Sequence, residues 1–342
     1  MTRFMPRTAT TFLLLLASLA PAAAFAQLSK VGTTAADFLR IPVGARASAL
    51  SAFTAVVDDP SAMVLNPAGL SDIGTRQLQV EYTDWYLDMN HTYLGAAIPA
   101  GEKGAVGVHV LAMDFGEFDE TTVEAQGLTG RTFGAYSVTF GASYARYLIE
   151  PFTIGGTVKV VHEQIAKSSA STVLFDLGTM YDTPFYGIRF GVSVTNVGAK
   201  FTMRGNDLII RSDPDESQAG NYQPDSYLAT DAFAPPLMLR VGLAWDAFDR
   251  GGTRLTLAVD GNNPSNNTQS VSVGGELSLL DDLVFIRGGV PYIGQEDAIE
   301  RFNGGFGVRY ASADRLGVAF HYTYHGFKYL GDVSKLSLQV FF

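Results

Sequence analysis

The stretch Arg315–His325, RLGVAFHYTYH, alternates without a break. Leu316, Val318, Phe320, Tyr322 and Tyr324 fall on one side of an extended chain; Arg315, Gly317, Ala319, His321, Thr323 and His325 fall on the other. Successive side chains of a strand point to opposite faces, so this is a strand with one apolar face and one small or polar face. Its neighbours repeat the pattern. Arg301–Ala311 sets Phe302, Phe306, Val308 and Tyr310 against Arg301, Asn303, Gly305, Gly307 and Arg309, and Thr253–Gly261 sets Leu255, Leu257 and Val259 against Arg254, Thr256, Ala258 and Asp260. In the last segment Leu336, Leu338, Val340 and Phe342 oppose Lys335, Ser337 and Gln339.

Working outward, the same reading gives fourteen strands: 76–86, 91–99, 104–114, 134–148, 152–165, 171–182, 186–198, 237–246, 253–261, 269–279, 283–292, 301–311, 315–325 and 334–342. Long connections (115–133, 199–236, 262–268, 293–300, 326–333) alternate with short ones (100–103, 149–151, 183–185, 247–252, 280–282, 312–314), with 87–90 and 166–170 short where a long one is due. A soluble sandwich also alternates, but with its apolar face inward and its charges in water. Here the number of segments, their length near ten residues and their terminal aromatics fit lipid outside and a polar lumen inside. Only 17% of the 342 residues are charged, and no apolar run after the N-terminus reaches the roughly 20 residues of a membrane helix. The predicted fold is therefore all-β, a fourteen-stranded antiparallel transmembrane β-barrel over 76–342.

Residues 1–26 read as a secretory signal peptide, with Arg3 and Arg7 before an apolar core at Phe12–Leu19 and cleavage near Ala26. There is no cysteine, hence no lipid attachment site, disulfide or thiolate. Export without cysteine suits the bacterial envelope, and with a barrel wall the expected location is the bacterial outer membrane. Losing Arg3 and Arg7 takes the formal charge from −10 to −12, which argues against a nucleic-acid partner.

Between leader and wall, Asp37–Leu70 (DFLRIPVGARASALSAFTAVVDDPSAMVLNPAGL) has no two-residue period. Small residues crowd it, and Asp58-Asp59-Pro60 and Asn66-Pro67-Ala68-Gly69 supply turns, so 27–75 reads as a plug inside the barrel. The run Ile41-Pro42-Val43-Gly44-Ala45-Arg46-Ala47, followed by those two motifs and Leu70, resembles the N-terminal signature of the PorV/PorQ family, relatives of the FadL-type barrels. The resemblance is sharp over about 35–70 and architectural beyond. It implies a FadL-like barrel with a plug motif at Gly44, Arg46, Asp58, Asp59, Pro60, Asn66, Pro67, Ala68 and Gly69. It also implies one of two functions. The first is a type IX secretion partner that docks and passes on secreted proteins. The alternative is a passive channel for hydrophobic small molecules, with a mobile plug and a sideways gap in the wall. Terminal Phe342 resembles the signal read by the barrel-assembly machinery.

Residues that might carry chemistry are sparse. Lumen charges of both signs are expected at Glu81, Lys159, Glu163, Asp176, Arg189, Arg240, Asp246, Arg254, Asp260, Glu276, Arg287, Arg301, Arg309 and Arg315, where cross-strand ion pairs are the default role. Arg46 is expected to pin the plug to lumen carboxylates. Tyr82, Tyr86, Tyr144, Tyr181, Tyr186, Trp245, Tyr292, Tyr310, Tyr322 and Tyr324 fit interfacial girdles. The 199–236 loop, with acids at Asp213, Asp215, Glu216, Asp225 and Asp231, is expected at the cell surface as a lid, a docking surface or a solvated loop. Of the histidines (His91, His109, His162, His321, His325) only the last two share a face at close spacing, and about 13 Å of strand rise separates them. No nucleophile elbow, phosphate loop or zinc motif occurs, so the chain reads as a non-enzyme without cofactor or metal. Gly107 is a weak candidate for a wall kink.

Overall fold

The computed structural model describes residues 31–101, 103–122, 128–211, 224–295, 298–311 and 316–342. The leader 1–26, the acids Asp213, Asp215 and Glu216, and Arg315 lie outside the described residues. Fourteen long strands form the wall: β1 (Gln77–Asp84), β2 (Asn90–Pro99), β3 (Gly104–Thr121), β4 (Leu128–Ile149), β5 (Phe152–Ile165), β6 (Ser168–Asp182), β7 (Ile188–Gly198), β8 (Met238–Arg250), β9 (Thr253–Pro264), β10 (Ser270–Leu279), β11 (Val284–Ile293), β12 (Glu300–Ala311), β13 (Gly317–Phe327) and β14 (Val333–Phe341). Each pairs antiparallel with its neighbour in sequence, and β1 pairs with β14 from Gln77↔Phe341 to Asp84↔Ser334. The sheet therefore closes and leaves no edge. At the seam Arg76 and Phe342 exchange backbone hydrogen bonds of 3.0 Å.

The two faces divide as the alternation demands. Val80, Leu94, Val108, Phe140, Val158, Leu243, Leu257, Phe306 and Leu338 are exposed on the outside, while Glu81, His91, His109, Lys159, Asp176, Asp260, Glu276 and Lys335 are buried inside. A wall with apolar side chains outward and charges inward is stable only if lipid replaces water outside. One end carries tight turns. Between β8 and β9 the turn residues Gly251 and Gly252 have φ of 63° and 72°, the left-handed pair that a two-residue hairpin requires.

Several expectations are corrected. The segment 115–133, read as loop, is largely hairpin: β3 and β4 stay paired to Thr121↔Leu128 through two register shifts. Stacking of Phe118 on Phe133 at 5.5 Å supports the extension. The connection 166–170 shrinks to two residues because Ile165 pairs with Ser168. The 199–236 segment holds three small pairings, Phe201–Thr202 with Ala232–Phe233, Ile209–Arg211 with Asp225–Tyr227, and Arg204–Gly205 against Ser168 and Ser169. Tyr292 is not a girdle residue. A bulge in β11, where Val271 pairs with Ile293 but Val273 with Val290, turns its ring into the lumen. Arg301 leaves the lumen for the same kind of reason, a shift between Glu300 and Phe302 that exposes it. Gly107 marks no kink, since β3 keeps regular register with β2 and β4 through it.

The irregular stretch fills the lumen. It comprises a 3-10 turn (Asp37–Arg40), helix α1 (Ala45–Leu50), helix α2 (Ala62–Leu65) and a second 3-10 turn (Pro67–Asp72). Leu50, Phe53, Val56, Met63, Leu65 and Leu70 bury against one another and against lumen alanines of the wall. The path runs the length of the barrel. Thr34 bridges Ala234 beside the loop end, and Arg76 enters β1 at the turn end.

Candidate functional site

Two regions of the lumen carry the chemistry. The first is where plug meets wall. Arg46, on α1, donates from Nε and Nη2 to Glu276 of β10 at 2.9 and 3.0 Å and also pairs with Asp58. Glu276 is the register partner of Arg287 on β11, whose Nε reaches it at 2.5 Å, and Arg287 contacts His321 of β13 at 3.0 Å. Burial pulls the Arg46 guanidinium down, but Asp58 and Glu276 more than offset this and hold it charged, above its ordinary value. Burial, reinforced by Asp58, pushes the Asp59 carboxyl up, opposed by the Ser61 hydroxyl, Arg46 and the Ser61 amide. A fork-on-carboxylate geometry of this kind fixes position as well as charge.

The other plug-motif residues are used locally. Asn66 donates to the carbonyl oxygens of Thr54 (2.7 Å) and Thr179 (3.3 Å), and its Oδ1 accepts from Ala68 N at the start of the second 3-10 turn, with Pro67 as the first helical residue. Pro60 O accepts from the Tyr93 hydroxyl of β2 at 2.6 Å. Gly44 has φ of 88°, and a Cβ on Gly69 would overlap the Val57 carbonyl. Asp260 of β9 accepts from Phe53 N, Thr54 N and Thr54 Oγ1 at 2.8 to 3.0 Å. Lys335 of β14 donates to Pro42 O and to Ser48 Oγ while paired with Glu81 of β1 at 3.3 Å.

Three notches complete the seat. Gly155 and Gly178 are register partners, and Cβ atoms on them would overlap Pro67 and Asn66. Gly191 and Gly242 are partners facing Thr54, and Gly274 and Gly289 are partners facing the Leu50 carbonyl. Backbone approaches wall this closely only where the side chain is a hydrogen. Sequence reading missed these residues, because one glycine per strand becomes a pair only once register is known.

The second region is open. At the loop end lies a cavity of about 510 Å³, bordered by Phe38 and Ile41 of the plug, by Trp85 and Met89 of the β1–β2 connection, by Phe115 of β3 and by Phe327 at the end of β13. Trp85 and Phe327 meet edge to face at 5.9 Å. Below it, sharing Arg40, Pro42, Tyr292 and Glu300, is a polar cavity of about 90 Å³ that ends on Phe53, Arg240 and Asn262. Phe201 of the long loop is buried in one apolar cluster with Phe38, Val161 and Leu174, against which Trp85, Met89 and Phe115 pack. Among the described residues no three His, Asp or Glu side chains are placed to hold a metal ion. Lys159, Asp176 and Asn196 instead form a buried polar cluster at 2.6 Å spacings beside a register shift between β6 and β7.

No family model matches the chain, and no curated protein matches it. Solved structures do. A FadL homologue from Pseudomonas aeruginosa aligns over 87% of this chain and 98% of its own with TM-score 0.52 at 13% identity. The toluene transporter TbuX of Ralstonia pickettii aligns over 87% and 96% with TM-score 0.56 at 14% identity, and the toluene transporter TodX of Pseudomonas putida over 87% and 96% with TM-score 0.55 at 12% identity. At such identities the shared property is the fold: this chain is a closed fourteen-stranded antiparallel barrel with the fold of these structures.

Proposed function

We propose that the chain sits in the bacterial outer membrane and takes up apolar or aromatic small molecules at its loop end. The observation that carries this reading is the 510 Å³ cavity walled by Trp85, Phe115, Phe327 and the plug strand, on the fold that hydrocarbon transporters use. A concave, mainly apolar site with a few polar groups at its base is the usual form of a small-molecule pocket. Trp85 offers a direct test, since Trp245, the other tryptophan, faces outward and can be replaced by Phe. Titrating toluene into the Trp245→Phe protein should give a saturable change in Trp85 emission, weakened roughly tenfold by Phe327→Ala as a stacked aromatic wall is lost. Emission that does not respond to toluene would remove the reading.

A second reading, membership of the PorV/PorQ group with a docking role in type IX secretion, is favoured by a different observation. The β2–β3 and β3–β4 ladders run without a sideways gap, and the plug is bonded to strands on several sides of the lumen, so the plug reads as a fixed base rather than a moving gate. Affinity purification of the tagged protein from its own membrane distinguishes the two. Recovery of secreted proteins, lost when 199–236 is deleted, would favour docking; the barrel alone with apolar ligand would favour the channel.

A further inference from the structure

Arg240, on β8, is 6% exposed, and what remains exposed faces the inner 90 Å³ cavity. Its guanidinium stacks over the Phe53 ring at 5.3 Å and has neither ion pair nor hydrogen bond among the described residues. Asp260 lies near enough to favour its charge but makes no ion pair with it, its Oδ2 accepting from Phe53 and Thr54 of the plug, and Glu300 pairs with His325 at 2.9 Å. A second cationic side chain borders the same space: Arg40, whose Nε is buried without an acceptor and which, among the described residues, forms an ion pair only with Asp37, at 3.6 Å. Every other buried arginine at the plug, Arg46 and Arg287, is matched by a carboxylate. A buried guanidinium whose N–H donors lack a direct acceptor carries a desolvation penalty that a bound acceptor would relieve. Guanidinium groups bind oxyanions through paired N–H donors.

We infer that the inner cavity, between Arg240 and Arg40, is a binding site for an oxyanion of the size of sulfate or phosphate, supplied either as the free ion or as the headgroup of an amphiphile whose tail occupies the aromatic cavity above. The Arg240 fork meets it from the wall, Arg40 from the plug strand. Tyr292 lines both cavities and is turned to this point by the β11 bulge. This site goes beyond the uptake of neutral molecules and is separable from it, because the Trp85 response to toluene does not pass through Arg240.

The test uses the full processed chain in detergent, its unfolding followed by the heat-dependent gel migration of barrels. Sodium sulfate or phosphate is compared with sodium chloride at equal ionic strength, which removes general screening. The unfolding midpoint of the native protein should rise with sulfate or phosphate. Arg240→Met should abolish the rise, and Arg240→Lys, keeping charge but not the fork, should need roughly tenfold more anion. Decyl sulfate acting at roughly a tenth of the sulfate concentration, with decanol inactive, assigns the site to an amphiphile headgroup, as expected if the tail adds apolar burial; equal potency assigns it to the free ion. An unchanged midpoint in the native protein, or equal rises in native and Arg240→Met proteins, overturns the site. Should Arg240→Met fail to fold, Asn262→Asp serves instead. Asn262 is the register partner of Arg240, so a carboxylate there should occupy the guanidinium and abolish the anion response; a response that persists overturns the site equally.

Discussion

Two sets of cations in this lumen, those that hold the plug and those that border the inner cavity, are treated oppositely. Around the plug, arginines meet carboxylates: Arg46 and Arg287 share Glu276, and Lys335 has Glu81 and Ser48. At the inner cavity, Arg240 stacks on a phenylalanine and faces empty space, and Arg40 keeps a donor unused. The difference separates packing from binding. A neutralised charge network fixes where the plug sits, whereas a buried guanidinium left without a direct acceptor marks a place kept for something else.

The sharpest way to break this comparison is to remove one charge from each set. Glu276→Gln leaves Arg46 and Arg287 facing each other, and should cost about 3–5 kcal/mol and open the plug to protease. The check is the urea midpoint together with limited proteolysis between 37 and 72; a plug as resistant as the native one would mean that the network does not hold it. The glycine notches sharpen the comparison further. Gly178→Ala drives a methyl into Asn66 and Pro67 and should destabilise by about 1–3 kcal/mol, as overpacking does. Gly156→Ala, one residue from a notch, meets only ordinary contacts at 3.6 Å and should stay within about 0.5 kcal/mol in the same melts. One effect has the opposite sign. Arg240→Met, without oxyanion present, should gain about 1 kcal/mol, since it replaces an unpaired charge by an apolar side chain of similar length; a loss instead would make Arg240 a structural residue like Arg46.

Much of the wall was legible beforehand. Period-two alternation in segments such as Arg315–His325 reports directly on which side faces lipid, and all fourteen strands overlap the ranges it marks. Misreadings fall where that period is interrupted. Bulges at Tyr292 and Arg301 shift the count by one residue and exchange inside for outside, an event that no local composition announces. The hairpin beyond Asp114 was hidden because its charged alternation resembles a solvated loop. At the candidate site, Arg46 stood out as a cation flanked by small residues, but Arg240 was one lumen arginine among several, and the mouth aromatics come from segments far apart in the chain.

The sequence alone determined that this chain is a membrane wall surrounding a small-residue core, because lipid and lumen impose opposite demands on alternate residues and every strand carries the record of both. Register was decided only in three dimensions. It is the closure of the sheet that sets Gly155 opposite Gly178, Glu276 opposite Arg287 and Asn262 opposite Arg240. Whether a lumen charge is paired or left open depends on distances between strands, and these are fixed by the ladder and by the plug pressed into it.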